Sequence, residues 1–121
     1  MPDTNRVVFV VDDETVIAQT LAIILNQADF QASAFDHPEK AIAALAESTP
    51  DLLISDVMMP GMTGVELAIH FRKAQPECKV LLFSAQAATA DLLEKTRAEG
   101  YDFDLLSKPV HPADLLARLR L

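Results

Sequence analysis

Val7-Val8-Phe9-Val10-Val11-Asp12-Asp13 is the stretch on which the fold turns. Five consecutive β-branched or aromatic residues leave no side for water, as expected of a strand buried on both faces of a parallel sheet. The run then stops on two carboxylates. Three later runs stop in the same way: Leu52-Leu53-Ile54-Ser55 on Asp56, Val80-Leu81-Leu82-Phe83 on Ser84, and Leu105-Leu106-Ser107 on Lys108-Pro109. In an open parallel α/β sheet, ligands bind beyond the carboxyl ends of the strands, where the strand order reverses. If these runs are parallel neighbours, Asp12, Asp13, Asp56, Ser84 and Lys108 meet at one edge. Three carboxylates, a hydroxyl and an ammonium suit a divalent cation and a phosphoryl group.

The apolar runs begin near residues 7, 31, 52, 79 and 104, too far apart for hairpins and right for strand–helix–strand units. Gln31–Phe35 alternates only weakly and is expected nearer an edge. Between the runs the period becomes helical. Val16, Ile17, Leu21, Ile24, Leu25 and Ala28 read as the inward face of a first helix. Pro38 opens a second, with Asp36 and His37 as cap candidates, Ala41, Ile42 and Leu45 inward, and Pro50 as its stop. Gly64 opens a third through Val65, Leu67, Ala68 and Phe71, closed near Pro76. Leu92, Leu93 and Thr96 mark a fourth, ended by Gly100, and Pro112 opens a fifth with Leu115, Leu116 and Leu119 inward. Five strands alternating with five helices make one doubly wound α/β domain over residues 1–121. No repeat, linker or low-complexity stretch interrupts it.

Composition narrows the function classes. The 121 residues are 50% hydrophobic and 23% charged, a globular profile. No apolar run approaches the roughly 20 residues of a membrane span, and residues 1–6 lack a signal-peptide pattern. The net charge of −8, with scattered Lys and Arg, argues against direct nucleic-acid binding. The single cysteine, Cys78, rules out an internal disulfide and fits a reducing, cytoplasmic setting. His37, His70 and His111 sit on separate elements without zinc-site spacing. The three glycines form no G-x-G-x-x-G nucleotide loop.

Asp12 and Asp13 have two compatible roles: Mg²⁺ ligands, or a helix N-cap favoured by the helix dipole. Asp56 can attack a phosphoryl group and form an acyl phosphate, provided a cation offsets the approaching charge. The loop Val57-Met58-Met59-Pro60-Gly61-Met62-Thr63-Gly64 can turn a backbone carbonyl toward that cation. Met58, Met59 and Met62 are expected to pack in this loop. Ser84 can donate to a phosphoryl oxygen and Lys108 can pair with another. Pro109 restricts the backbone at Lys108 and aims its side chain.

Taken together, Asp12-Asp13, Asp56-Val-Met-Met-Pro60-Gly-Met-Thr-Gly64, Ser84-Ala85 and Lys108-Pro109 resemble the receiver domains of two-component response regulators. The likeness runs from residue 6 to 120 in order and spacing. It implies a flavodoxin-like (βα)5 fold with a five-stranded parallel sheet in the order 2-1-3-4-5. It implies Asp56 as phosphoacceptor and Mg²⁺, with Mn²⁺ as a substitute, held by Asp12, Asp13, Asp56 and the backbone carbonyl of Met58. Ser84 and Lys108 would contact the phosphoryl group and switch partner contacts; Pro60, Gly64 and Pro109 would set loop geometry. The implied partners are a sensor histidine kinase or phosphotransfer protein, then a downstream target or an output domain absent from this chain. A phosphorylation-dependent homodimer also belongs to that pattern. The chemistry would be self-directed phosphotransfer and autodephosphorylation, not catalysis on a separate substrate.

Three positions depart from or qualify the pattern. Leu105 stands where the family carries the Tyr or Phe of an aromatic switch, with Phe103 on the same face one pair further from the pocket. Output is therefore expected to run through the Ser84 loop and the fourth helix. Met58 and Gln86 occupy the positions that tune water attack on the phosphoaspartate, the first hindering and the second orienting. Two other functions compete: a degenerate receiver that binds partners without phosphorylation, and an aspartyl-phosphate phosphatase of the haloacid-dehalogenase type. The phosphatase would want D-x-D at its nucleophile, whereas Asp56 is followed by Val57-Met58, and the chain carries no cap domain. A receiver could act alone, relay, or be the N-terminal part of a longer regulator; Leu121, ending inside a helical turn, leans to the last.

Overall fold

The computed structural model describes residues 6–59, 61–84, 89–101, 103–107 and 111–119. Strands and helices alternate without exception: β1 Val7–Val11, α1 Thr15–Gln27, β2 Gln31–Phe35, α2 Pro38–Ala44, β3 Leu52–Asp56, α3 Gly64–Ala74, β4 Lys79–Ser84, α4 Thr89–Ala98, β5 Asp104–Ser107 and α5 Pro112–Leu119. The five strands form one sheet ordered β2-β1-β3-β4-β5, and every pairing is parallel. The chain thus leaves β1 toward β2, then crosses back to β3 on the other side. The reversal lies between β1 and β3, at their carboxyl ends.

Alternation along the strands divides the core in two. Phe9, Val11, Leu53, Val80 and Leu82 point to one face and pack with α2 and α3 through Ala41, Leu67, Ala68 and Phe71. Val8, Val10, Leu52, Ile54, Leu81 and Phe83 point to the other, against α1 and α5 through Ala18, Leu21, Leu25, Leu115 and Leu119. Strands covered on both faces are apolar along most of their length, which is why β1 and the first three residues of β3 read as unbroken runs. β2, covered less at the sheet's edge, is exposed at Gln31 and Ser33 and only half-buried at Ala32, Ala34 and Phe35.

The inward face of α1 differs from the expected one. Ala18, Leu21, Ala22 and Leu25 are buried, while Val16 is 74% exposed and Ile23 57%. At 100° per residue, Val16 lies about 160° from Ala18, on the opposite side of the helix. The expected face drew Val16 inward and passed over Ala18 and Ala22; both are buried, and Ala18 packs in the cluster on this side of the sheet. α1 ends in a reversing turn in which Asp29 takes a left-handed conformation, φ 73°. Asp29 N–H donates to Asn26 O (3.2 Å) and Phe30 N–H to Leu25 O (3.0 Å), satisfying carbonyls of the last turn.

α2 is shorter than Pro50 suggested. It stops at Ala44 and unwinds through turns at Leu45, Ala46 and Glu47. His37 occupies its N-cap without a side-chain hydrogen bond, and Asp36 pairs instead with Lys40, 2.7 Å away. α3 starts on a side-chain cap. Thr63 Oγ1 accepts from Glu66 N–H and Glu66 Oε1 accepts from Thr63 N–H, each at 3.1 Å, a reciprocal capping box. Among the described residues, no helix is long and apolar enough to cross a membrane.

Candidate functional site

The carboxyl ends of β1 and β3 bring Asp12, Asp13 and Asp56 together. One carboxylate oxygen from each lies within 4.8 Å of the others. The sheet dictates this: Val11 of β1 pairs with Ser55 of neighbouring β3, so the next residue on each is placed at the same height. Asp12 is fully buried and Asp56 nearly so, while Asp13 faces solvent.

Asp12 is held from two sides. Its N–H donates to Phe35 O on β2 (3.1 Å), and its Oδ1 accepts from Glu14 N–H (2.9 Å). That second bond makes a local turn, and the N-cap of α1 is Glu14 rather than either aspartate. The N-cap reading of Asp12 or Asp13 is thus corrected: the chain needs one more residue to turn from β1 into α1, and Asp12 supplies the turn. Asp56 closes β3 opposite Phe83 of β4. Buried Ser55 donates from Oγ to the Asp56 carbonyl (2.9 Å), and Val57 N–H donates to Phe83 O (3.0 Å), so the backbone on both sides of Asp56 is tied down.

Gly64 permits that arrangement. Its N–H donates to Val57 O at 2.8 Å, drawing the first turn of α3 onto the end of β3. A Cβ at Gly64 would fall on the Asp56 carbonyl oxygen, 2.9 Å from the carbonyl carbon and 3.0 Å from Val57 Cα. Only glycine allows the approach. Gly61 serves the same loop differently, with φ 83° in open space. Met59 and partly buried Met62 pack into the core as expected, but Met58 is 52% exposed and does not. Two residues beyond the end of the buried strand, its side chain has passed the rim of the core.

Ser84 ends β4 opposite Ser107, the last residue of β5, and is buried. Lys108 and Pro109, Pro60 and Gln86 lie outside the described residues. Leu105 is half-buried against the α3 side of the core, and buried Phe103 joins the same cluster, so the two share a face. Phe103 stacks on Tyr101 (centroids 5.7 Å apart), and the Arg72 guanidinium lies 5.3 Å from the Phe103 ring. Arg72 is fixed in turn by its Nε donating to Cys78 O at 3.0 Å. The aromatic pair is thereby anchored toward the amino end of β5, away from the carboxylates.

The donor set fits a hard, small dication. Mg²⁺ binds oxygen at about 2.0–2.1 Å, so two of its ligands stand up to roughly 4.2 Å apart, comparable with the 4.8 Å within which the three carboxylate oxygens lie. Sequence reading did not single out Ser55, Thr63 or Glu66. Thr63-x-x-Glu66 is a legible capping signal, whereas Ser55 bonds to its own neighbour and leaves no pattern to read.

Comparison with known proteins agrees over nearly the whole chain. The family described as response regulator receiver domain matches residues 8–120. DNA-binding response regulator MtrA of Mycobacterium tuberculosis is 31% identical over 119 residues, 98% of this chain and 51% of that protein. The chain spans about half the length of the curated relatives it matches. Among solved structures, the BeF3-activated receiver domain of DrrB superposes with a TM-score of 0.82 at 27% identity, covering 96% of this chain and 95% of that one. Vibrio cholerae chemotaxis protein CheY4 gives 0.84 at 27% identity, covering 96% and 97%.

Proposed function

The chain belongs to the response regulator receiver domain family, and we propose that it takes a phosphoryl group onto Asp56 from a phosphohistidine donor in a Mg²⁺-dependent reaction. The observation that carries this reading is the meeting of Asp12, Asp13 and Asp56 at the strand-order reversal, with oxygens within 4.8 Å of one another. Asp12, Asp13, Asp56 and the Met58 carbonyl would hold Mg²⁺, which offsets charge on the phosphoryl oxygens. An Asp56 carboxylate oxygen attacks phosphorus and the P–N bond breaks; its electron pair stays on the donor nitrogen, and the imidazole leaves neutral with the proton its other ring nitrogen already carries. Asp56 then carries an acyl phosphate. The tie from Ser55 and the close approach of Gly64 keep the Asp56 backbone still while its side chain reacts. Ser84 and Lys108 would bind the phosphoryl oxygens and report their presence to partners.

Autodephosphorylation returns the carboxylate, with Met58, which is exposed, at one of the two positions that govern access of water and Gln86 at the other. The partners proposed are a sensor kinase or phosphotransfer protein upstream and a target or output domain downstream. Several matched relatives, about twice this length, are described as DNA-binding response regulators or transcriptional regulatory proteins, which favours an output domain of that kind. The test is intact mass after incubation with acetyl phosphate or phosphoramidate and Mg²⁺, beside Asp56→Asn. Gain of one phosphoryl group by the wild type alone supports the reading. No gain, together with no NMR shift on adding beryllofluoride and Mg²⁺, overturns it in favour of a phosphorylation-independent binding module.

A further inference from the structure

β2 is an outer strand of the sheet, and one side of it has no neighbouring strand among the described residues. Such edges are templates for pairing with another chain unless something covers them. β2 is a ready template: Gln-Ala-Ser-Ala-Phe carries no charge and two small alanines, so a partner backbone could come close.

The hydrogen-bond direction alternates along the strand. Gln31 N–H donates inward to Arg6 O (2.8 Å) and Phe35 O accepts inward from Asp12 N–H (3.1 Å), so the odd residues pair toward β1. Ala32 and Ala34 then present their N–H and C=O outward. Ala32 meets both complements in one side chain: Asn26 Nδ2 donates to Ala32 O (3.1 Å), and Ala32 N–H donates to Asn26 Oδ1 (2.9 Å). A carboxamide offers one donor and one acceptor side by side, the same pair that a residue of a neighbouring strand would present. The turn at Asp29 makes this reach possible by folding β2 back beside the last turn of α1.

We propose that Asn26 guards this edge: its carboxamide takes the place of an adjacent strand at Ala32 and prevents two copies of the chain from joining their sheets through β2. The remaining outward pair, at Ala34, lies in a groove of about 190 Å³ beside Thr15, Gln19, Asp36 and Lys40. One open pair is too short to seed a ladder. Two open pairs in each copy, at Ala32 and Ala34, permit an antiparallel junction between uncharged strands. Asp29 flanks one end of the strand and the Asp36–Lys40 ion pair the other, so it is the net charge of −8 on each copy that opposes the junction, and salt that screens it should favour association.

The test compares wild type, Asn26→Ala and Asn26→Asp by sedimentation velocity across a range of concentrations at low and high salt. Freeing one backbone donor and one acceptor in each copy should strengthen self-association of Asn26→Ala at least about tenfold over wild type, more so in salt. Asn26→Asp loses the donor but leaves a carboxylate on the edge, and should stay monomeric. Association of the alanine variant alone supports the proposal. Equal loss of melting temperature in both variants without association overturns it, and reduces Asn26 to a fastening between α1 and β2. Should Asn26→Ala fail to fold, amide exchange of the wild type decides. The Ala32 amide should be strongly protected and the Ala34 amide not; equal exchange of the two overturns the guard.

Discussion

Gly64→Ala puts one methyl group where the end of β3 meets the start of α3. The clash is with backbone on every side: the Asp56 carbonyl oxygen and carbon and Val57 Cα, the last two at 2.9 and 3.0 Å. No side chain can rotate away, so the first turn of α3 must retreat from β3. Retreat stretches the 2.8 Å bond from Gly64 N–H to Val57 O and unseats the capping box at Thr63. Overpacking of this kind costs roughly 1–3 kcal/mol, and the weakened bond adds about 1 kcal/mol. Alanine's better helix propensity returns at most about 1 kcal/mol. The net loss is therefore about 1–3 kcal/mol. For a domain of this size that lowers Tm by roughly 5–15 °C. Thermal and urea unfolding would measure it, with Gly61→Ala as the comparison. Gly61 has open space around it and φ 83°, so its variant has only left-handed strain to bear, about 1 kcal/mol. Because the Gly64 clash falls on Asp56 itself, Gly64→Ala should also weaken the Mg²⁺ response, which Gly61→Ala should leave intact. A Gly64→Ala protein as stable as wild type, with an undiminished Mg²⁺ response, would refute the close approach on which the site's geometry rests.

Two further outcomes are expected. Millimolar Mg²⁺ should raise Tm by mass action on the folded state, and the rise should shrink in Asp13→Asn; an equal rise in both proteins would place the cation elsewhere. Burial pushes the Cys78 thiol up from 9.0 to about 11. The unfolded thiol ionises first, so this contribution to stability is whole below pH 9.0 and is lost as pH rises toward about 11. Alkaline unfolding followed in wild type and Cys78→Ala should show the wild type alone losing that increment, and identical profiles would count against it.

The periodicities alone determined most of the architecture. Unbroken apolar runs at β1, β3 and β4 announced strands covered on both faces, and the weaker β2 announced an edge. The polar residues ending those runs named Asp12, Asp13 and Asp56 before any coordinate, because a parallel sheet must gather its carboxyl ends. The inward face of α1 was harder to read, since Ala18 and Ala22 are buried while Val16, drawn inward by its apolar side chain, is exposed. Which aspartate turns the chain into α1 depended on one hydrogen bond, from Glu14 N–H to the Asp12 carboxylate. Only the tertiary structure showed that Gly64 is required by the Asp56 carbonyl and that Asn26 reaches the backbone of β2. Both are contacts between nearby segments whose spacing carries no periodic signal; they exist because the loop from β3 to α3 and the reversing turn after α1 fold the chain back on itself.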